Sequence, residues 1–450
     1  MPVVMKFGGT SVADAAAFEN VARIVANQRD AAPIVVVSAM SGVTDSLLAA
    51  TNIASLENVF ERHRAVAHEL LEPAKAAEFI DRLREAADQI ASLLQKPAGQ
   101  KSVQDAVVSF GETLSSTLLA EVLNQKGIKA RQVDARRCII TDEEFTSATP
   151  LMAETFARSK SELLPVLESG VVPVLGGFIA ATRQGVTTTL GRGGSDYTAA
   201  LIGAALNVSE IQIWTDVTGV LTADPRVVPE AQTIERLSYG EAAELAYFGA
   251  KVLHPKTIQP AIESSIPVRI CNSRAPHERG TLVGPETETT ARTVKAIAHK
   301  TGVTTVQISS ARMLGAYGFL RALFEVFDRH RTVVDVVTTS EVSVSLSLDD
   351  ASALTAIVAE LEQLGTVGVE KGRAIICVVG EGLRGTPGIA ARVFSTISDI
   401  NVTLISQGAS SINFTFAIEE DRVREAVTRL HEEFFATKRH TRDKSNNESF

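Results

Sequence analysis

The chain has 450 residues, about three domain-sized units, and is 45% hydrophobic and 5% aromatic, with 30 glycines and 15 prolines. This composition is typical of a soluble α/β protein with a sizeable core, and it excludes bulk disorder, a collagen-like repeat and a disulfide scaffold. The 44 basic and 53 acidic residues give a net charge of −9 without a basic patch, so the sequence predicts no nucleic-acid partner.

From residue 2 to about residue 284, short β-branched runs alternate with longer amphipathic stretches. This alternation is typical of βαβ units and predicts a largely parallel sheet with helices on both faces. The strand candidates are Val3–Phe7, residues 34–38, residues 172–178 and Glu210–Thr215. Residues 55–95 have a helical period and few glycines, which predicts a helical excursion outside the sheet, without assigned chemistry.

The second part of the chain follows a polar run at residues 286–292, which predicts a linker and a domain boundary near residue 290. Strictly alternating strands, such as residues 342–348, then indicate an antiparallel sheet. A helix, strand, strand and helix that start at Gly318 recur about 70 residues later from Gly388. With the strands before and between the copies, this repeat predicts two ferredoxin-like βαββαβ units.

The first chemical motif is the run Gly8-Gly9-Thr10-Ser11, which follows the first strand and precedes a helix predicted from about Ala13. Glycines let a backbone approach a phosphate closely, and the free amides of a helix start point at it. Lys6, at the end of the strand, would add a positive charge. A structural turn would have the same residues, and the run is not a Walker loop because GxxxxGK[ST] occurs nowhere.

The second motif surrounds Arg192 with glycines, in the run Gly191-Arg192-Gly193-Gly194-Ser195-Asp196 before a helix predicted over residues 199–206. A guanidinium fork suits bidentate binding of a carboxylate. Ser195 or Asp196 is predicted to cap the helix. The alternative is a capped turn with a surface arginine.

A third run, from Trp214 through Thr215 and Asp216 to Arg226, leaves a strand at the carboxyl end of the sheet, where open α/β sheets bind ligands. It could hold a nucleotide, or it could be a proline-stiffened turn. The run Phe248-Gly249-Ala250-Lys251 adds a second lysine. His254, shortly after it, is interpreted as structural.

Two further runs contain polar side chains: residues 38–45 after a strand, and Ser109-Phe110-Gly111-Glu112, which is predicted at a helix start. Taken together, the motifs place glycine, lysine, arginine, aspartate and hydroxyl groups after successive strands. They contain neither a histidine-centred base nor a thiol nucleophile.

Cysteine usage and the N-terminus indicate the compartment. Cys138, Cys271 and Cys377 lie far apart, without the spacing of a metal site, and free thiols predict a reducing, cytoplasmic location. The N-terminal apolar run is too short for a signal peptide, and no window approaches the roughly 18 apolar residues of a membrane span. The sequence therefore predicts no targeting segment and no membrane partner.

Four of these motifs, beginning at Lys6, Gly191, Trp214 and Phe248, together resemble the aspartate kinases of the amino-acid kinase family over nearly the whole chain. The resemblance implies the amino-acid kinase fold, a largely parallel sheet sandwiched by helices, followed by two ferredoxin-like ACT domains. It also implies transfer of the γ-phosphoryl group of ATP, with Mg²⁺, to the side-chain carboxylate of L-aspartate. The resemblance implies that this reaction is the first step in the biosynthesis of lysine, threonine and methionine.

The resemblance also implies roles for individual residues. Lys6 would contact the transferred phosphate, Asp196 would orient the basic groups, and no residue is implied as a metal ligand. The implied substrate-binding residues are Thr44, Glu112, Phe178, Arg192, Gly193, Gly194 and Ser195, with Arg192 on the α-carboxylate and Glu112 on the amino group. The implied ATP-binding residues are Lys6, Gly8, Gly9, Thr215, Asp216, Leu221, Arg226 and Lys251.

The C-terminal repeats resemble an ACT pair of the lysine-sensitive type, which implies lysine as effector and a homodimer or homotetramer assembled through these domains. The implied effector residues are Met313, Gly318, Phe319, Leu320, Val334, Asp335, Ser340 and Glu341. The expected domains are a catalytic domain at 1–290, a first ACT domain at 310–381, a second built from 294–309 and 382–436, and a flexible tail at 437–450.

Two alternatives stay open at this point. One is another amino-acid kinase, acting on glutamate or N-acetylglutamate, against which the paired ACT units argue. The other is a catalytically inactive amino-acid sensor, which would be expected to have damaged phosphate motifs. A fused homoserine dehydrogenase is excluded because no second large α/β domain follows the repeats.

Overall fold

The computed structural model describes residues 1–97, 99–249, 253, 255–285, 293–315, 317–408 and 410–436. Two compact units divide the chain. The first comprises Met1–Val220, Thr233–Ala243 and Val252–Thr287, and the second comprises Leu221–Gln232, Glu244–Lys251 and Glu288–Phe450. The linker predicted at 286–292, the tail predicted at 437–450, and the residues Lys251 and His254 lie outside the described residues.

The strands in the described residues are β1 (Val3–Phe7), β2 (Pro33–Val37), β3 (Ala130–Val133), β4 (Ile140–Thr141), β5 (Val172–Gly176), β6 (Ile179–Thr182), β7 (Thr187–Thr189), β8 (Glu210–Thr215), β9 (Arg236–Ser238), β10 (Val268–Asn272), β11 (Thr281–Gly284), β12 (Ala296–Ser309), β13 (Val337–Thr339), β14 (Ser343–Leu348), β15 (Thr366–Val379), β16 (Leu404–Gln407) and β17 (Asn413–Glu419). The α-helices there are α1 (Ala15–Asn27), α2 (Val43–Ala49), α3 (Glu57–Leu70), α4 (Pro73–Leu94), α5 (Lys101–Gln125), α6 (Ala135–Cys138), α7 (Met152–Glu168), α8 (Gly194–Leu206), α9 (Tyr239–Tyr247), α10 (Gln259–Glu263), α11 (Phe319–Arg329), α12 (Leu354–Leu361), α13 (Ile389–Thr396) and α14 (Val423–Phe435).

The first unit contains an eight-stranded sheet in the order β3-β5-β2-β1-β8-β10-β11-β9. The strands from β3 to β10 pair in parallel, and Lys6 of β1 lies opposite Val36 of β2 and Ile213 of β8. Every residue of β2 is buried, as expected for a strand covered on both faces. The predicted parallel sheet is confirmed, and β1 and β8 have the predicted bounds.

Helix α5 passes through the core of the first unit. Its length and apolar composition would also fit a membrane span. However, Leu118, Leu119, Val122 and Leu123 are fully buried against the other elements of this core, so α5 is a core helix. The predicted excursion is helical too: α3 and α4 bury side chains such as Phe79 in the same core.

The second unit contains a six-stranded sheet in the order β13-β14-β12-β15-β17-β16, whose neighbouring strands are antiparallel, as predicted. Two hydrophobic cores form on it. The first includes Val306 and Ile308 with side chains of α11 and α12, and the second includes Ile297 with side chains of α13 and α14. These cores correspond to the two modules of the repeat.

The long strand β12 connects both modules, which differs from the expectation that residues 294–309 belong to the second module alone. The sequence predicts two separate strands here, at residues 294–300 and 303–309. The structure keeps one strand with a register irregularity between Lys300 and Val303, and its second half packs in the first core. A strand of fourteen residues spans roughly 45 Å, which is enough to reach both cores.

Candidate active site

A cleft of about 580 Å³ lies at the carboxyl ends of β1, β2 and β5 in the first unit. This edge of a parallel sheet is where open α/β folds bind ligands. The cleft brings together ten of the residues predicted from the sequence: Lys6, Gly9, Thr44, Glu112, Phe178, Arg192, Gly193, Gly194, Ser195 and Asp196.

The basic group of the first motif is held by an ion pair. Lys6 Nζ lies 2.6 Å from Asp196 Oδ1, and the two side chains are only 11% and 16% exposed. Lys6 projects from β1 and Asp196 from the first turn of α8, where the helix dipole also favours a carboxylate. The ammonium group therefore has a fixed position at the floor of the cleft.

The predicted capping of α8 is wrong. The cap residue is Gly193, without a side-chain cap, and Ser195 and Asp196 lie inside the first turn. Their side chains connect α8 to neighbouring strand ends instead: Asp196 pairs with Lys6, and the Ser195 and Ser38 hydroxyls hydrogen-bond at 3.0 Å.

The two glycines after β1 have different roles. The Gly8 N–H donates to Trp214 O at 3.0 Å, so this amide is already used within the sheet, and the predicted contact of Gly8 with ATP stays a prediction. Gly9 begins a short 3-10 helix, Gly9–Val12, whose first amides have no partner inside the helix. A Cβ on Gly9 would lie 2.8 Å from Ala39 O, so only glycine fits between the loops after β1 and β2.

Glu112 was predicted at a helix start, but it lies in the middle of α5. The side chain is buried, and Oε1 accepts the Ala39 N–H at 3.2 Å. Within the described residues, Oε2 has no hydrogen-bond partner. Burial raises the pKa of Glu112 to about 8. A carboxyl group with one oxygen unpartnered in a cleft wall is a good acceptor for a ligand ammonium group.

Arg192 lies on a turn between two glycines that both have left-handed backbone, Gly191 with φ +72° and Gly193 with φ +74°. Its side chain is exposed, lines the cleft and forms no ion pair with any described residue. Behind the turn, a Cβ on Gly177 would lie 2.8 Å from Ser195 Cα, so α8 packs directly on the loop after β5. The guanidinium group is thus available to a ligand anion.

Sequence reasoning missed Asp105, another buried carboxylate that lines the cleft. Its spacing to Glu112 could have revealed it, because residues seven apart lie on the same face of a helix. The predicted helix start at residue 109 hid this relation, since α5 begins eight residues earlier, at Lys101.

Of the predicted ATP-binding residues, Lys6 and Gly9 line this cleft, whereas Thr215, Asp216, Leu221 and Arg226 do not. Thr215 and Asp216 lie at the end of β8, next to β1 in the sheet, and Asp216 is exposed. Leu221 and Arg226 belong to the second unit, where Arg226 pairs with Asp224 at 2.6 Å. Their contacts with a nucleotide, and those of Lys251, stay predictions.

The predicted effector residues lie in or beside the first module of the second unit. Met313, Phe319 and Val334 pack against its core, Gly318 and Leu320 lie at the start of α11, Ser340 hydrogen-bonds Ser343, and Glu341 is exposed.

Asp335 is the buried carboxylate of this group, and its side chain is 3% exposed. It accepts a hydrogen bond from the Tyr247 hydroxyl, and Lys300 Nζ lies 3.7 Å from Oδ2. Burial and the neighbouring Asp349 raise the pKa of Asp335 well above its usual range.

No metal-binding cluster accompanies these sites: within the part of the chain that the structure describes, no group of three or more His, Cys, Asp or Glu side chains could hold an ion. Cys138, Cys271 and Cys377 are buried free thiols, as predicted.

Comparison with known proteins identifies the family. The amino acid kinase family model matches residues 1–272, and an ACT domain model matches residues 376–434. Aspartokinase 3, chloroplastic, of Arabidopsis thaliana is 41% identical, over 96% of this chain and 82% of that protein. Lysine-sensitive aspartokinase 3 of Escherichia coli is 39% identical, over 96% of this chain and 99% of that protein. The chain belongs to the aspartokinases of the amino acid kinase family.

Solved structures of aspartokinases agree with this assignment. The E. coli aspartokinase III complex with aspartate and ADP, described as the R-state, matches with a TM-score of 0.81 at 38% identity, over 97% of this chain and all of that chain. The complex of the same enzyme with lysine and aspartate, described as the T-state, matches with a TM-score of 0.82 at 37% identity, over 96% and 99% of the two chains. The predicted fold class, an amino-acid kinase fold followed by ACT domains, is confirmed.

Proposed function

We propose that the chain catalyses the ATP-dependent phosphorylation of the side-chain carboxylate of L-aspartate, which yields 4-phospho-L-aspartate. Family membership supports the reaction, and a related structure contains aspartate and ADP. The observation that carries the proposal is the cleft itself, where Lys6, Arg192 and Glu112 lie around one cavity. Lys6 can contact a transferred phosphate, Arg192 a carboxylate and Glu112 an ammonium group.

The reaction requires no general base from the protein. A carboxylate with an ordinary pKa of about 3.9 is already an anionic nucleophile at neutral pH. The difficulty is to bring it against an anionic phosphate, which requires positioned positive charge. Lys6 supplies such a charge, and its pair with Asp196 fixes the ammonium group without a cost in reorganisation.

The α-amino acid part of the substrate would be bound at two points. Arg192 would bind the α-carboxylate through its guanidinium fork, and Glu112 would accept the ammonium group at Oε2. Thr44, Phe178, Gly193, Gly194 and Ser195 would complete the substrate pocket, since all five line the same cleft. Because the protein has a net charge of −9, binding of anionic substrates depends on these local cations.

ATP is the proposed phosphoryl donor, and Mg²⁺ would accompany it. Mg²⁺ commonly binds one or two carboxylates together with the phosphates of the substrate. This mode of binding needs no preformed cluster of metal ligands, and the described residues contain none. When bound, the ion neutralises phosphate charge. Thr215, Asp216, Leu221, Arg226 and Lys251 are the proposed contacts on the nucleotide side.

Lysine is the proposed effector and the ACT modules its proposed site. The E. coli relative is named lysine-sensitive, and one of its structures contains lysine. Asp335 would accept the effector ammonium group, because it is a buried carboxylate whose Oδ2 has no hydrogen-bond partner among the described residues. Assembly into a homodimer or homotetramer through these modules and a cytoplasmic location remain predictions. The latter rests on the three free thiols.

The decisive experiment incubates the purified protein with ATP, Mg²⁺ and L-aspartate and traps the acyl phosphate with hydroxylamine. We expect a hydroxamate with aspartate, a much smaller yield with glutamate or N-acetylglutamate, and loss of the product in Lys6→Ala. Equal turnover with glutamate would favour another amino-acid kinase, and no turnover with any acceptor would favour an inactive sensor. Measuring inhibition of the reaction by lysine, threonine and methionine in turn then tests which amino acid is the effector.

A further inference from the structure

Asp105 is a buried acid that the proposed chemistry does not use. It projects from α5 into the wall of the cleft, and the residue is only 1% exposed. Three donors converge on it: Thr146 N–H and Thr189 N–H reach Oδ2 at 2.9 and 3.0 Å, and the Thr189 hydroxyl reaches Oδ1 at 2.8 Å. Asp105 thus receives three hydrogen bonds from the protein, whereas Glu112 receives one.

The first partner of Asp105 has a strained backbone. Thr146 has φ +74°, a left-handed conformation that is strained for a β-branched residue. Such a conformation persists only when its surroundings impose it. The hydrogen bond from Thr146 N–H to Asp105 is one of the contacts that impose it here.

The second partner leads directly to the arginine turn. Thr189 is the last residue of β7, and Leu190 and Gly191 separate it from Arg192. The turn also rests on the strained segment, since a Cβ on Gly191 would lie 3.4 Å from Thr146 O, and Ala148 N–H donates to Thr189 O at 2.9 Å. Asp105 thus ties together both segments that support Arg192 from behind.

We propose that Asp105 is a positioning residue, which holds Thr146 and Thr189 and thereby sets the place of the Arg192 guanidinium group in the cleft. The inference rests on the proposed role of Arg192 in binding the α-carboxylate of aspartate. The flanking glycines Gly191 and Gly193 leave the turn without stiffness of its own, so an external anchor is needed. Burial raises the pKa of Asp105, and the three hydrogen bonds from Thr146 and Thr189 fix the position of its carboxyl group. The proposed role concerns this geometry.

Three variants test this role. Asp105→Ala removes all three hydrogen bonds, and Thr189→Val removes only the bond from the hydroxyl. Asp105→Asn keeps the geometry, because its amide oxygen can accept the two N–H groups while its NH₂ donates to the Thr189 hydroxyl. Asp88→Ala, which changes an exposed aspartate on α4, is the matched control.

We measure kcat and the KM values for aspartate and ATP, together with hydrogen exchange over residues 187–194. Asp105→Ala is expected to raise the KM for aspartate about tenfold or more and the KM for ATP less than about twofold, with faster exchange in this segment. Thr189→Val should give an intermediate effect, and Asp105→Asn should stay within about threefold of wild type.

Two results would overturn the inference while leaving the proposed function intact: an unchanged KM for aspartate in a folded Asp105→Ala protein, or equal changes in both KM values. Asp105→Asn remains informative if Asp105→Ala does not fold, because an Asn variant with a large rise in the KM for aspartate would show that charge, not geometry, matters. Failure of the proposed function is distinct, since wild type would then form no aspartyl hydroxamate.

Discussion

Replacement of Glu112 by glutamine should weaken catalysis and stabilise the fold at the same time. Glu112 is buried, with one oxygen bonded to Ala39 N–H and the other without a partner in the described residues. Because burial raises its pKa to about 8, the neutral form predominates at pH 7. An aspartate ammonium group requires that charged form, so substrate binding should depend on pH.

The activity should depend on pH through the ionisation of Glu112. In the wild type, kcat/KM for aspartate should rise nearly tenfold per pH unit from pH 6 to about pH 7.5 and level off above pH 8, as Glu112 becomes ionised. Glu112→Gln lacks this ionisation and should show a lower, flat profile. The ratio of the wild-type kcat/KM to that of Glu112→Gln should therefore increase with pH.

The effect on stability has the opposite sign. The folded pKa lies above the ordinary 4.5, so the native state binds more protons than the unfolded chain between about pH 4.5 and pH 8. The free energy of unfolding consequently falls as pH rises through this window, by at most about 1.4 kcal/mol per unit. Between pH 6 and pH 8 the wild type should lose roughly 2 kcal/mol relative to Glu112→Gln, since the slope falls as Glu112 becomes half ionised at pH 8.

The assay pairs hydroxamate kinetics with urea unfolding of both proteins at pH 6, 7 and 8. Glu121→Gln, which changes a half-buried acid on the same helix, is the control and should reproduce the wild-type profiles. A pH-independent ratio of kcat/KM, or a variant that is no more stable than the wild type at pH 8, would refute the reasoning.

Three further predictions use other contacts. Gly9→Ala should reduce kcat strongly, since its Cβ would meet Ala39 O at 2.8 Å, whereas Gly8→Ala, whose nearest contact is 3.6 Å, should lose far less; steady-state kinetics compares the two. Asp196→Asn should lower kcat more than it raises the KM for aspartate, because Lys6 loses its pair; equal changes in both would argue against this role. Lysine inhibition should strengthen as pH rises from 7 to 9. Asp335, which faces Tyr247, Lys300 and Asp349, has a raised pKa and must be ionised to bind an ammonium group. Inhibition curves of Asp335→Asn should show no such dependence on pH.

The parallel sheet was predictable because its strands are continuous apolar runs that end in glycine-containing loops, as at β1 and β2. The position of Glu112 was not predictable in the same way. The run Ser109-Phe110-Gly111-Glu112 resembles the start of a helix, yet it lies inside α5. Gly111 is required there by tertiary packing, since a Cβ on it would lie 2.8 Å from Ala39 Cβ. Only the contact with the loop after β2 explains the glycine.

In the second unit, too, local strands were predictable from the sequence but the grouping of segments into a core was not. The alternation of residues 342–348 predicted the antiparallel strand β14 (Ser343–Leu348) nearly to its bounds, because one face of this sheet is buried against helices. The sequence places Leu221–Gln232 in the catalytic domain, because it predicts a single boundary between the domains, near residue 290. Its Ala223 and Val228 instead pack in the second core, and this grouping depends on contacts that no local pattern encodes.

Asp105 and Glu112 show how partners, rather than residue type, assign roles to two acids on one face of α5. Both line the cleft and are buried, which makes their charged forms costly unless donors or cations compensate. Asp105 receives three hydrogen bonds from the protein and has little capacity left for a ligand. Glu112 receives one from Ala39 and keeps an oxygen for a cation. The cleft therefore gains a cation acceptor from one acid and a fixed arginine turn from the other.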